Sequence, residues 1–155
     1  MSPVTLTQVE DTLPEGFDIL LEEASREGYR HMTRLAEEWI AGFRFNRPGE
    51  CLMAAWSQGQ LAAMAGVTHD PVIAGATRMR RFYVRPAFRR NGTGRALANA
   101  LVRHASLSSQ HIFVNSGTEL AASFWEAVGF TRRHENGHTH VLAAAVAKEP
   151  TAPPV

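Results

Sequence analysis

Apolar positions along the chain change period several times, and each change marks an element. Val4 and Leu6 alternate with polar residues as in a strand, and the segment DTLPEG then turns the chain. From Phe17 the spacing becomes helical: FDILLEEASREG ends at Gly28, and YRHMTRLAEEWIAGF resumes with Met32, Leu35, Trp39 and Ile40 on one face. Two short apolar runs, CLMAAWSQ and QLAAMAGVTH, meet at Gly59 and predict a hairpin. TRMRRFYV is a third strand of this group, stopped by Pro86. A helix with Leu97, Ala100, Leu101, His104 and Ala105 on one face follows, then the strand HIFVNS and the helix TELAASFWEAVG, closed by Gly129. A last hairpin, FTRRHENGHTHVLAAAV, turns at Asn136-Gly137.

The order β-α-α-β-β-β-α-β-α-β-β is that of one mixed α/β (α+β) layer system. A chain of 155 residues suits one core, so a single domain is expected over 1–148, with 149–155 as a flexible proline-rich tail. Composition narrows the function classes. At 45% hydrophobic and 20% charged residues, with net charge +1, the chain has neither a disordered composition nor the basic excess of a nucleic-acid binder. The N-terminus lacks a secretory pattern and no apolar run is long enough to cross a membrane, so a cytoplasmic protein without membrane partners is expected. The single cysteine, Cys51, lies in an apolar run and suits the core rather than a disulfide or zinc site.

The candidate chemistry sits in YVRPAFRRNGTGRALANALV, Tyr83 to Val102. Here a strand ends at Val84, a loop carries Arg85 to Asn91, and Gly92, Thr93 and Gly94 open a helix. The first helical amides lack internal partners, the glycines let a ligand approach them, and the helix dipole favours an anion. Arg89, Arg90 and Arg95 add positive charge. The loop lacks the Gly-Lys-Ser/Thr ending of a P-loop, and Leu97 stands where a dinucleotide fingerprint needs a third glycine.

Together with ASFWEAVGF, Ala122 to Phe130, this stretch resembles the GNAT superfamily of N-acetyltransferases over about Thr77 to Val141. Arg89, Gly92 and Gly94 match the family's grip on the pyrophosphate of acetyl-coenzyme A, FYVRP matches its fourth strand, and Phe124-Trp125 with Gly129-Phe130 its later motif. The resemblance implies a mostly antiparallel twisted sheet flanked by about four helices, with acetyl-CoA as cosubstrate and no metal. It implies cofactor contacts from Phe82, Tyr83 and Val84 to the pantetheine, from Arg89, Arg90, Asn91, Gly92, Thr93, Gly94 and Arg95 to the diphosphate, and from Trp125 beside the thiol. The expected activity is acetyl transfer to a primary amine of a small molecule. A noncatalytic acyl-CoA-binding regulator and an acetyltransferase acting on a protein or peptide amine are the alternatives.

Two positions depart from the family. Trp125 stands where many members place a tyrosine acid, and Arg78 where some place a glutamate base. An indole N–H has no usable acidity near neutral pH, so neither proton-transfer role carries over. No catalytic acid or base is assigned; Glu37, Glu38, His69 and Asp70 are remote candidates.

Strict alternation along the strand puts Arg78 and Arg80 on one face with Phe82 and Val84, where they would either hold an anionic acceptor or pair with the acidic first helices. His134, His138 and His140 match no zinc spacing and are expected to be exposed hairpin residues. Trp39 and Trp56 suit the core. The alanine-rich last strand, VLAAAVA, suits either close packing or pairing with a second copy at a sheet edge, which would make a homodimer.

Overall fold

The computed structural model of the chain describes residues 3–143, so the expected tail and the last residues of the expected domain lie outside the described residues. The expected order of elements holds: β1 (Val4–Gln8), α1 (Phe17–Arg26), α2 (His31–Ile40), β2 (Cys51–Ser57), β3 (Gln60–His69), β4 (Ala76–Val84), α3 (Thr93–Ser106), β5 (His111–Val114), α4 (Glu119–Val128), β6 (Thr131–Glu135) and β7 (His138–Ala143), with one turn of 3-10 helix at Pro86–Phe88. They form a seven-stranded sheet in the order β1-β2-β3-β4-β5-β7-β6. Every pairing is antiparallel except β4 with β5. Both two-residue hairpin turns have positive φ at each centre, Gln58 (54°) with Gly59 (76°) and Asn136 (52°) with Gly137 (83°), the geometry that suits the twist of the strands they join.

Each sheet face buries a separate apolar cluster. The α1 and α2 helices place Leu20, Met32 and Leu35 against Leu52, Met64 and Tyr83. On the other face Leu97 and Leu101 of α3 and Trp125 of α4 meet Ala63, Val67, Ile112 and Phe130. Each fully buried leucine contributes roughly 1.5–3 kcal/mol, so these two layers hold the sheet flat against its helices. Cys51 is fully buried, as its apolar run implied, whereas Trp39 and Trp56 are only half-buried at the margin of the first cluster.

Strict alternation fails in β4. Met64 pairs with Tyr83 and Gly66 with Arg80, so Arg81 and Phe82 together stand opposite Ala65. Arg81 takes φ 59° to make this bulge. The extra residue reverses the faces beyond it: Arg80, Arg81 and Tyr83 point toward α1 and α2, while Met79, Phe82 and Val84 join the α3–α4 cluster. Arg78 and Arg80 therefore do not share a face with Phe82 and Val84, contrary to the expectation from period two.

Two further expectations are corrected. His138 and His140 are buried, at 8% and 0% exposure, and only His134 is exposed. Their strand lies inside the sheet between β5 and β6, so the edge belongs to β6 and the described part of the alanine-rich strand is not an edge.

Candidate active site

The parallel pairing of β4 and β5 is short. It runs from Ala76↔His111 to Arg78↔Phe113 and stops. From Met79 to Val84, β4 has β3 on one side and no strand on the other, so its backbone groups along that edge can pair with an extended ligand as a missing strand would. Phe82 is the side chain behind this gap; its ring lies 4.9 Å from Trp125 and 5.4 Å from Phe124.

The open edge leads to the start of α3. Gly92 caps that helix at φ 90°, a left-handed conformation that glycine adopts without penalty. Asn91 Oδ1 accepts from the Thr93 amide at 3.1 Å and from Thr93 Oγ1 at 2.7 Å, fixing the turn and using one of the helix's orphan donors. Gly94 sits against the aromatic layer, where an added Cβ would lie 3.3 Å from Val84 Cγ2 and 3.5 Å from Phe124 Cε1. Arg90 and Arg95 are exposed and carry no hydrogen bond or ion pair among the described residues. Arg89 differs. Its Nε donates to the Val84 carbonyl at 2.9 Å, and its two terminal nitrogens hold both oxygens of Glu27. Two shallow clefts, of about 310 and 220 Å³, lie elsewhere, beside Thr118 and Arg132 and beside Trp56 and Arg85.

On the α2 side of the same strand, Arg80 and Arg81 both bond Glu38, at 3.1 and 2.7 Å. For Arg80 this is the pairing with the acidic first helices that the sequence allowed. Arg78 has no partner among the described residues, and its Nε is buried. Burial, with Arg81 and Arg78 nearby, lowers the Arg80 pKa to about 10 against the opposing pull of Glu38. Two guanidinium groups thus share one carboxylate, with a third, that of Arg78, nearby.

Residues 20–144 match the family model of the acetyltransferase (GNAT) domain. The chain belongs to the GNAT acetyltransferases. It is an acetyl-CoA-dependent acyltransferase by membership of that family. Among solved structures it is similar to a candidate acetyltransferase from Exiguobacterium sp. 255-15, with 26% identity, a TM-score of 0.85, and coverage of 96% of this chain and 99% of that one. It also resembles in fold YncA, a candidate acetyltransferase from Salmonella typhimurium with its cofactor acetyl-CoA, at 15% identity and a TM-score of 0.67, covering 97% and 98% of the two chains. A spermidine N-acetyltransferase SpeG chimera from Vibrio cholerae and hSSAT shares the fold at 14% identity and a TM-score of 0.69, covering 95% and 99%. No curated protein matches this chain in sequence.

Within this GNAT domain the remaining expected residues are distributed unevenly. Trp125 is 4% exposed and packs edge-on against Phe82, Phe124 and Phe130, so its ring belongs to the core. Tyr83 lies on the opposite face and donates to Glu27 Oε1 at 2.6 Å; burial and that carboxylate push its phenol well above the ordinary range. Of the remote base candidates, Glu37 is exposed, Glu38 is held by two arginines, and His69 Nε2 meets the Pro48 carbonyl. Asp70 Oδ2 accepts from the Val72 and Ile73 amides and Oδ1 from His138 Nε2. That last bond joins residues 68 positions apart, and no spacing in the sequence signals it.

Proposed function

We propose that this GNAT enzyme acetylates the primary amine of a small molecule that also carries an anionic group. The observation that carries the reading is the end of β4–β5 pairing at Arg78 and Phe113, which leaves a strand edge leading from that vertex to the α3 N-terminus. The residues fit acetyl-CoA. The free amides of the first α3 turn and the unpaired Arg90 and Arg95 offer charge-assisted hydrogen bonds, each contributing about 1.5–3 kcal/mol to a diphosphate. The β4 edge around Phe82 and Val84 offers backbone pairing to the amide-bearing arm. When bound, acetyl-CoA supplies an activated acyl group on sulfur.

The chain's own residues would hold the acceptor amine beside that group, and orientation of this kind is worth up to about 7–11 kcal/mol of barrier. Val84 and Glu27 take three of the five Arg89 N–H donors, so its terminal nitrogens keep two for a diphosphate while Nε clamps the Val84 carbonyl. The acceptor's anionic group is argued from Arg78, unpaired at the vertex, and from the surplus of guanidinium charge on that side of β4. A polyamine would meet like charge there, which makes the acceptor of the spermidine enzyme a poor fit to this chain.

The test is release of free thiol from acetyl-CoA across matched amines with and without a carboxylate or phosphate. Turnover restricted to carboxylate- or phosphate-bearing amines, lowered in affinity by Arg78→Gln, is the expected result. Equal or better turnover of amines lacking an anion defeats the acceptor assignment. Absence of turnover with intact cofactor uptake defeats the small-molecule reading.

A further inference from the structure

The departures at Trp125 and Arg78 leave the site without the proton-transfer groups that other members use at those positions. Asp70, in the loop after β3, is held by two backbone amides on Oδ2, at 2.9 and 2.8 Å, and by His138 on Oδ1 at 2.6 Å. These bonds hold its carboxyl below the usual range although burial opposes them. An ionised carboxylate can only accept, so His138 Nε2 must carry the hydrogen, and in the neutral ring Nδ1 then presents a lone pair. Among the described residues Nδ1 has no hydrogen-bond partner, and it is not sealed from solvent. His140, two residues on, is unavailable: Nε2 meets Glu126 at 2.8 Å and Nδ1 meets Thr139 at 2.7 Å.

The position of the ring is as telling as its tautomer. His138 stacks on Phe113 at 4.6 Å between centroids and 15° between planes. Phe113 is the register partner of Arg78, the last β4 residue that β5 pairs. The imidazole therefore stacks on the side chain of the residue at which β5 ceases to pair with β4, opposite the arginine assigned above to the acceptor.

We propose that His138, positioned by Asp70, takes the proton from the acceptor's ammonium group. The inference rests on acetyl transfer to an amine as the activity of this site. The amine arrives protonated at neutral pH; Nδ1 accepts that proton and passes it to solvent. The freed nitrogen then bonds to the acyl carbon as the carbon–sulfur bond breaks, and the nitrogen's second proton balances the departing thiolate. Net release is one proton per turnover. The charged or titratable groups facing His138 are Asp70 from the β3–β4 loop, Glu135 across β6 with its partner Arg133, His111 beyond Phe113 on β5, and Arg78 on β4.

The test compares His138→Gln and Asp70→Asn with the parent over a pH series, alongside calorimetric uptake of acetyl-CoA and thermal melts. His138→Gln is expected to lower kcat by about 100-fold near neutral pH, with the deficit shrinking as pH approaches the pKa of the amine, and to be partly rescued by added imidazole. Asp70→Asn is expected to lower kcat less than His138→Gln and to gain less from added imidazole, because the ring is still present but its Nε2 loses the carboxylate that fixes its tautomer. Cofactor uptake should be unchanged in both. A deficit independent of pH, or parent-like kcat in a folded His138→Gln, overturns the proposal. Failure of the parent itself to take up acetyl-CoA would instead overturn the assignment of the site.

Discussion

Glu27 and Arg89 form a two-point ion pair, with Arg89 Nη2 2.6 Å from Oε1 and Nη1 2.9 Å from Oε2, and Tyr83 donating to the same Oε1. It joins the residue that follows α1 to the loop before α3. Arg89 first, then Tyr83, holds the Glu27 carboxyl below its ordinary value of 4.5 against the cost of burial. A depressed folded-state pKa stabilises the fold above the unfolded value, and that contribution is lost as pH falls through the folded value. Urea unfolding from about pH 7 to about pH 3 should show this loss in the parent and a flatter profile in Glu27→Gln. The same substitution releases the Arg89 fork, so coenzyme A affinity should rise a few-fold at low salt; a fall would mean that Glu27 serves to position Arg89 rather than to compete for it.

His31 gives a second pH signature, of opposite chemical type. Burial, then the Arg81 and Arg34 charges, lowers its pKa from the ordinary 6.5, and Nδ1 is buried without a partner. The unfolded chain therefore protonates first, and stability falls as pH drops below about 6.5. His31→Asn should remove that slope in the mildly acid range while leaving the Glu27 slope at lower pH intact.

Element order, both hairpin turns and the glycine-opened helix were legible in the sequence because each depends on local spacing and turn chemistry. The glycine- and arginine-rich loop before α3 was legible for the same reason, since Gly92, Gly94 and the arginines are adjacent in the chain. What escaped is what the third dimension decides. A single inserted residue at Arg81 rotates the rest of β4, and nothing in TRMRRFYV marks it, because arginine at positive φ has no sequence signal. His138 and His140 looked like surface residues of a polar hairpin, yet carboxylates from Asp70 and Glu126 make their burial tolerable. Arg89 was legible as a cation near the loop, but not as one already matched by Glu27.

The two loop glycines should behave differently on replacement by alanine. Gly92 has φ 90°, so a side chain there costs about 1–2 kcal/mol in backbone strain. Gly94 has no such angle, and its new methyl would press only on Val84 and Phe124 at 3.3 and 3.5 Å. Gly92→Ala is expected to lower both the melting temperature and coenzyme A affinity, Gly94→Ala chiefly the affinity. Equal loss of stability in both would contradict this division.

Cys51 offers a reporter of the core. Burial alone pushes its thiol up to about 12, and no exposed thiol competes with it. In the folded protein it should resist an aromatic disulfide reagent at mildly alkaline pH, reacting only at the rate of unfolding. Fast stoichiometric modification of well-folded protein would show that β2 opens locally.

The bulge itself can be weighed by paired substitutions at Arg81. Replacement by glycine and by valine each removes the 2.7 Å ion pair with Glu38, so the difference between them isolates the backbone. Glycine accepts φ 59° freely, whereas a β-branched residue is a genuine outlier there. Arg81→Val should therefore be less stable than Arg81→Gly by about 1–2 kcal/mol in chemical denaturation. The valine variant has a second way out, which is to straighten the strand. That would turn Phe82 and Val84 away from Trp125 and Leu97, exchanging backbone strain for the loss of two apolar side chains from the α3–α4 cluster. Since burying each such side chain is worth about 1.5–3 kcal/mol, the strained bulge is the cheaper state and should persist. Unchanged Trp125 fluorescence in a destabilised Arg81→Val would show that it does; equal stability of the two variants would remove the energetic basis for assigning the face reversal to this residue.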